Sequence, residues 1–183
     1  MGVVVAIFGP HGVGKTSLQM FALKNNVKIR EGFEFPNNID DCSTWEKFWE
    51  YQMRYWDMVK EQLDDIRNQE GVFIISRSYE EQLYYLSSHP LSLGHEDIIK
   101  EFASENLTYK SDYLFYFDAR FEVLKKRIES DSLREPQETR WWYRDRYYLY
   151  DKINKGHKNI HIIDTSDITT QQVFTKMMEI VLR

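Results

Sequence analysis

Short apolar runs alternate along this chain with longer segments in which apolar residues recur every three or four positions. The clearest runs cover residues 2–8, 72–75, 113–117 and 160–163, and residues 27–30 form a shorter candidate strand. Runs such as VFII at 72–75 contain no polar alternation, which is typical of strands buried on both faces of a parallel sheet. The pattern therefore predicts about five strands in a parallel sheet.

Helical spacing dominates the segments between these runs. The longest predicted helix covers residues 44–69, with Thr44 as its N-cap. Other helices are predicted after a glycine-rich loop up to residue 24 and over residues 79–88, 95–106, 121–130, 138–153 and 169–182. Strands that alternate with helices of this length predict a three-layer α/β domain, with helices on both faces of the central sheet.

Composition narrows the class of protein. The 183 residues fit a single domain, and 42% hydrophobic residues are enough for a packed core. No apolar run is long enough to span a membrane, and the N-terminus lacks the pattern of a secretory signal, so a cytoplasmic protein is expected. One cysteine, Cys42, excludes an internal disulfide, and a net charge of -5 argues against a nucleic-acid polymer as partner.

A glycine-rich motif follows the first predicted strand and opens the first predicted helix. It has the pattern G, four residues, G, K, then S or T, which in this context binds nucleotide phosphates. Backbone N-H groups and the helix N-terminus cradle the phosphates, Lys15 bridges them, and the Thr16 hydroxyl is the predicted Mg²⁺ ligand. The alternative is a chance glycine turn before a helix. The predicted ATP-binding residues are Gly9, Pro10, His11, Gly12, Val13, Gly14, Lys15, Thr16 and Ser17.

The landmarks after this motif resemble the deoxynucleoside kinase and thymidylate kinase group of P-loop kinases over nearly the whole chain, and deoxynucleoside kinases most. The resemblance implies a P-loop NTPase fold with a helical lid at residues 119–146, with ATP and Mg²⁺ as cofactors. It also implies that Glu31, after the second strand, is the base for an acceptor 5'-hydroxyl. A solvated loop acid is the alternative for Glu31, and Glu34 lies nearby.

The long helix carries the second point of resemblance. Gln52 lies inside its apolar stripe and matches a family glutamine that hydrogen-bonds the nucleobase edge. Trp49 and Trp56, with Trp45 and Tyr51, are candidates for a stacking wall beside the base. The alternative is a core glutamine bonded to the backbone, with tryptophans that only fill the core.

The third point is the end of the 72–75 strand. Arg77 matches the family arginine that binds the acceptor, and a planar guanidinium suits phosphate at a strand end. Ser76 stands where the family has an acid that helps to organise the magnesium or the acceptor. Gln82 stands where deoxynucleoside kinases carry a base-reading Asp, and Val59 where its partner Arg would be, so base preference does not carry over.

The fourth point is the basic segment that matches the family lid. Eight of the 24 Lys and Arg residues fall within the 27 positions from 120 to 146, more than twice an even share. Arg127 and Arg134 are the predicted contacts of the transferring phosphoryl group. Six acids share the segment, so a salt-bridged surface helix is the alternative. Residues 164–167 resemble the loop that packs against the adenine of ATP.

Together these features predict an ATP-dependent kinase that phosphorylates the 5'-hydroxyl of a deoxynucleoside. A nucleoside monophosphate kinase of the thymidylate kinase type is the nearest alternative, and a non-catalytic ATP-binding regulatory protein is another. A nucleoside or nucleotide is the expected partner. Trp and Tyr on more than one face of the long helix also lead us to expect a homodimer.

Overall fold

The computed structural model describes residues 1–10, 12–30, 42–76, 78–130 and 160–183. Five parallel strands form one sheet in the order β2-β3-β1-β4-β5. The strands are β1 Val3–Phe8, β2 Lys28–Arg30, β3 Val72–Ile75, β4 Tyr113–Asp118 and β5 Ile160–Asp164. All five carboxyl ends lie on the same side of the sheet. Because β1 is the central strand, the loop that follows it lies in the middle of that side.

The three central strands β1, β3 and β4 are buried on both faces, and their alternate side chains enter two separate cores. In β1, Val4, Ala6 and Phe8 face one core, whereas Val5 and Ile7 face the other. This two-sided burial explains the continuous apolar runs in the sequence, since neither face of such a strand meets water.

The first core is closed by three helices, α2 Trp45–Arg67, α3 Tyr79–Ser88 and α4 Glu96–Glu105. Thr44 caps α2 by accepting a hydrogen bond from the Lys47 amide. The buried stripe of α2 repeats at three- and four-residue steps and consists of Phe48, Gln52, Tyr55, Trp56, Val59, Leu63 and Ile66. Short 3₁₀ turns at Pro90–Ser92 and Leu107–Tyr109 flank α4.

The second core is closed by α1 Lys15–Lys24, α5 Phe121–Glu129 and α6 Thr170–Val181. Thr169 and Gln172 form a reciprocal capping box at the start of α6. Among the described helices, none combines the length and apolarity needed to cross a bilayer.

The predicted three-layer α/β fold with a five-stranded parallel sheet is confirmed. Each described helix lies where its spacing predicted one, although several begin or end one or two residues inside the predicted bounds because the outermost residues are caps. Strands β4 and β5 extend one residue further than predicted, and β2 begins at Lys28. The helix predicted at 138–153 and most of the predicted lid at 119–146 lie outside the described residues.

Candidate functional site

The glycine-rich loop connects β1 to α1 at the centre of the sheet. Gly9, Gly12 and Gly14 all have positive φ, at 145°, 76° and 94°. At Gly9 a Cβ atom would lie 2.2 Å from the Phe117 carbonyl oxygen in β4. The loop thus needs glycine at Gly9 for backbone conformation and for close approach to the neighbouring strand.

Lys15 turns back across this loop. Its Nζ donates to the carbonyl oxygens of Gly9 at 2.6 Å and Pro10 at 3.1 Å, so the ammonium group lies over the loop that precedes it. No side chain caps the first turn of α1, which begins at Lys15 directly after its N-cap Gly14. The first-turn amides and the Lys15 ammonium group therefore suit a phosphate, because helix N-termini favour anions.

The metal donors at this loop are few. The Thr16 hydroxyl is exposed in the first turn of α1, where it can reach an ion held by bound phosphates. Ser76, directly after β3, offers a hydroxyl instead of a carboxylate. Within the part of the chain that the structure describes, no three acidic, His or Cys side chains cluster as metal ligands. These residues fit a Mg²⁺ that takes its other ligands from phosphate and water.

Arg127 of α5 joins the glycine-rich loop to the loop after β5. Its guanidinium donates to the Gly12 carbonyl at 3.1 Å, to the Thr165 hydroxyl at 3.2 Å and to the Thr165 carbonyl at 2.8 Å. Thr165 is buried and also binds the end of β4, because its amide and hydroxyl both donate to the Asp118 carbonyl, at 2.7 and 3.0 Å. We call Arg127 and Thr165 the clasp.

Residues next to the clasp make further contacts at the surface. The Ser166 hydroxyl accepts a hydrogen bond from the Arg120 amide, and Arg120 forms an ion pair with Asp167. The loop at 164–167 is thus tied to the β4–α5 junction at several points. The sequence indicated this loop through the family resemblance, but no sequence signal revealed that Thr165 bonds to Arg127. A contact of Arg127 with the transferring phosphoryl group stays a prediction.

Removing the Thr165 hydroxyl should loosen the clasp. Thr165→Val keeps the shape of the side chain but removes one hydrogen bond to Asp118 and one to Arg127, so we expect a weaker affinity for ATP by about five- to tenfold. Thr165→Ser keeps the hydroxyl and should stay near the wild-type value. Calorimetric titration with ATP measures both, and equal affinities for the Val and Ser variants would show that the hydroxyl does not matter.

Gln52 of α2 and Gln82 of α3 meet in the first core. Both side chains are almost completely buried, at 0% and 1% exposure. The Gln82 Nε2 donates to the Gln52 Oε1 at 2.9 Å and to the Gln52 backbone carbonyl at 3.0 Å. Tyr84, two residues beyond Gln82, packs on Phe8 directly before the glycine-rich loop. The amide pair thus joins α2 to α3, two of the helices that close the first core.

The tryptophans of α2 pack against α4. Trp49 and Trp56 both contact the ring of Phe102, and Trp56 also contacts Tyr79 and donates from Nε1 to the Asn106 side chain at 3.0 Å. Trp56 is 2% exposed, and these contacts favour the core alternative for it. Base stacking by the half-buried Trp49 stays a prediction.

The start of α3 follows β3 and carries several buried polar groups. Ser78 caps the helix by accepting from the Glu81 amide. Burial, with the adjacent Glu80, raises the pKa of Tyr79 to about 12, so its hydroxyl stays protonated and donates to the Ala103 carbonyl. Glu80 accepts from the Ser111 amide and hydroxyl. These hydrogen bonds hold in place the start of α3, which follows Arg77 in the sequence.

Four predicted site residues lie outside the described residues. They are His11, Glu31, Arg77 and Arg134. The structure describes the chain on both sides of His11 and Arg77, whereas Glu31 follows directly after β2.

The fold has close counterparts among solved structures. Deoxyadenosine kinase from M. mycoides with bound dATP aligns over 99% of this chain and 100% of its own, with a TM-score of 0.71 and 16% identity. Thymidylate kinase from Candida albicans aligns over 98% and 91%, with a TM-score of 0.67 and 16% identity. The YorR protein from Bacillus subtilis, in complex with phosphorylated GDP, aligns over 98% and 95%, with a TM-score of 0.64 and 16% identity.

The chain therefore shares its fold with these solved kinase structures, and the structural resemblance expected from the sequence is confirmed. No family model matches the chain, and no curated protein matches its sequence. The similarity of this chain to known proteins is therefore seen in its fold and not in its sequence.

Proposed function

We propose that this protein is an ATP-dependent kinase that phosphorylates the 5'-hydroxyl of a deoxynucleoside. The observation that carries the proposal is the glycine-rich loop at the centre of the sheet, with Lys15 folded across it and the exposed Thr16 hydroxyl beside it. Similarity of fold to a deoxyadenosine kinase along its full length supports the choice of acceptor. The buried amide pair of Gln52 and Gln82 supports a base-reading site.

In this proposal the chain positions two reactants for direct transfer. The loop amides and Lys15 hold the ATP phosphates, and Mg²⁺ held at Thr16 supplies further positive charge to them. Glu31 accepts the proton of the 5'-hydroxyl as its oxygen attacks the γ-phosphorus, and the bond to the ADP oxygen breaks. Arg77, Arg127 and Arg134 stabilise the charge on the transferring group.

Gln52 is the proposed reader of the base. A carboxamide offers both a donor and an acceptor, and a nucleobase edge presents the matching groups. Among the described residues, the Gln52 Nε2 and the Gln82 Oε1 are buried and have no hydrogen-bond partner. Buried polar groups in folded proteins are normally satisfied, so this pair is suited to a polar ligand.

A monophosphate acceptor is the second candidate, because the fold also matches a thymidylate kinase with a nearly equal TM-score. A phosphate acceptor needs no general base, so Glu31 separates the two candidates. The four loop residues Pro10, His11, Gly12 and Val13 include neither the Asp nor the Arg that thymidylate kinases often carry there, and this favours the nucleoside acceptor.

Replacing Glu31 by Gln tests the acceptor. For a nucleoside acceptor we expect a fall in kcat of about 100-fold or more, because the amide cannot accept the hydroxyl proton. Glu34→Gln is the matched control and should retain most of its activity. The assay follows conversion of deoxynucleosides to their 5'-monophosphates, and near-normal turnover by Glu31→Gln would contradict the role of Glu31 as base.

A further inference from the structure

The hydrogen bonds between Gln82 and Gln52 fix the orientation of both amides. A backbone carbonyl can only accept, so the Gln82 atom that lies 3.0 Å from the Gln52 carbonyl must be the NH₂ group. The same NH₂ group lies 2.9 Å from the Gln52 side chain, and the atom that it meets there must be the oxygen. The backbone thus removes the ambiguity that usually attends amide orientation.

This arrangement leaves a defined pair of unused groups. Both protons of the Gln82 NH₂ group are engaged by Gln52, and the Gln52 side-chain oxygen is occupied. The Gln52 NH₂ group and the Gln82 carbonyl oxygen remain without a partner among the described residues, although both are buried. The pair therefore offers one donor from α2 and one acceptor from α3, at fixed positions.

We propose that Gln82 is a specificity-determining residue that locks Gln52 and thereby selects the class of nucleobase. The inference rests on the proposed function, in which Gln52 reads the base. Gln82 acts in two ways: its NH₂ group holds the Gln52 side chain in one rotamer, and its own carbonyl oxygen is the second reading group.

The selection follows from the order of donors and acceptors on the bases. Adenine and cytosine present an exocyclic amino donor beside a ring-nitrogen acceptor. Guanine and thymine present the reverse, an exocyclic oxygen acceptor beside a ring N-H donor. A carboxamide that is free to rotate by 180° can match either order. A locked pair matches only one, and mismatch leaves a buried donor and acceptor unsatisfied.

The two proposed reading groups carry no charge. Both glutamines are neutral, and Val59, one helical step beyond Trp56 on the buried stripe of α2, is apolar and 0% exposed. Discrimination by this pair therefore depends on hydrogen-bond direction alone, and salt should have little effect on it.

Base discrimination by the Gln82→Met variant tests the inference. Met has nearly the same volume and cannot hold the Gln52 amide, so that amide becomes free to rotate. In the wild type we expect kcat/KM for the preferred class, either deoxyadenosine and deoxycytidine or deoxyguanosine and thymidine, to exceed that for the other class by about tenfold or more. In Gln82→Met the ratio should fall toward one. Ile66→Val, a core change on the same helix, should leave the ratio unchanged.

Two results would overturn the inference. One is a wild type that shows no preference between the two classes of base. The other is a Gln82→Met variant that slows all four substrates by one common factor, as expected of a purely structural residue. If Gln82→Met does not fold, Gln52→Met replaces it, because removal of the Gln52 donor should also abolish the ratio.

The proposed function can fail separately. Turnover of monophosphates alone would refute the nucleoside acceptor, and the same ratio would then be measured with the four monophosphates. If no acceptor is turned over, calorimetric titration with the four nucleosides and their monophosphates gives the ratio as affinities. Absence of binding to all of them at millimolar concentration would contradict both the proposed function and the role of Gln82.

Discussion

Replacing Lys15 by Ala is expected to reduce phosphoryl transfer by about 1,000-fold or more. The Lys15 ammonium group lies over the glycine-rich loop, within hydrogen-bond distance of the Gly9 and Pro10 carbonyls. Charge that develops on the phosphates in the transition state would lose its nearest fixed cation, and interactions of this kind carry much of the catalysis in phosphoryl transfer. Steady-state ATP consumption with a saturating acceptor measures the effect.

Lys24 supplies the matched control for Lys15. It lies in the last turn of the same helix, where its charge is far from the loop, and Lys24→Ala should retain nearly full activity. Comparable losses in the two variants would show that the effect comes from helix stability or net charge and not from phosphate binding.

Replacing Gly9 by Ala is expected to lower the free energy of unfolding by about 3 kcal/mol or more. Two costs combine at this position. The φ angle of 145° is one that L side chains rarely adopt, and the new methyl group would lie 2.2 Å from the Phe117 carbonyl oxygen. Because that oxygen belongs to the backbone of β4, the loop must move away from the sheet.

Gly94→Ala is a control that distinguishes the cost of backbone strain from the cost of the steric clash at Gly9. Gly94 also has a positive φ, at 86°, but no atom lies within 4 Å of an added Cβ. Gly94→Ala should therefore cost only about 1 kcal/mol, from backbone strain alone. Urea denaturation of the two variants gives both values. Equal values would contradict the close approach of the glycine-rich loop to β4.

The sequence was sufficient for the architecture because burial leaves a simple pattern. A strand such as β3, covered by helices on both faces, has no polar positions, and α2 shows its buried stripe at helical spacing. The glycine-rich loop could also be predicted, because Gly9 directly follows one strand and Lys15 begins the next helix, so the motif depends only on residues close together in the sequence.

The contacts between distant segments could not be predicted in this way. Thr165 and Arg127 are 38 positions apart, and the bond between their side chains depends on how α5 packs over the loop after β5. The orientation of the Gln82 amide depends on a backbone carbonyl of α2, which has no signature in the sequence. The sequence made Trp56 a candidate for stacking on the base because it is an aromatic residue on the helix that carries Gln52. Its packing against Phe102, which the sequence does not reveal, favours a role in the core instead.

Transfer of the γ-phosphate of ATP to a deoxynucleoside tests the central claim most directly. The wild-type protein would be incubated with ATP, Mg²⁺ and a panel of deoxynucleosides, ribonucleosides and their monophosphates, with Lys15→Ala protein as the blank. We expect ADP and a deoxynucleoside 5'-monophosphate in equal amounts, above the blank. Measurable ATP binding without phosphorylation of any acceptor on the panel would contradict a kinase function and favour a regulatory nucleotide-binding protein.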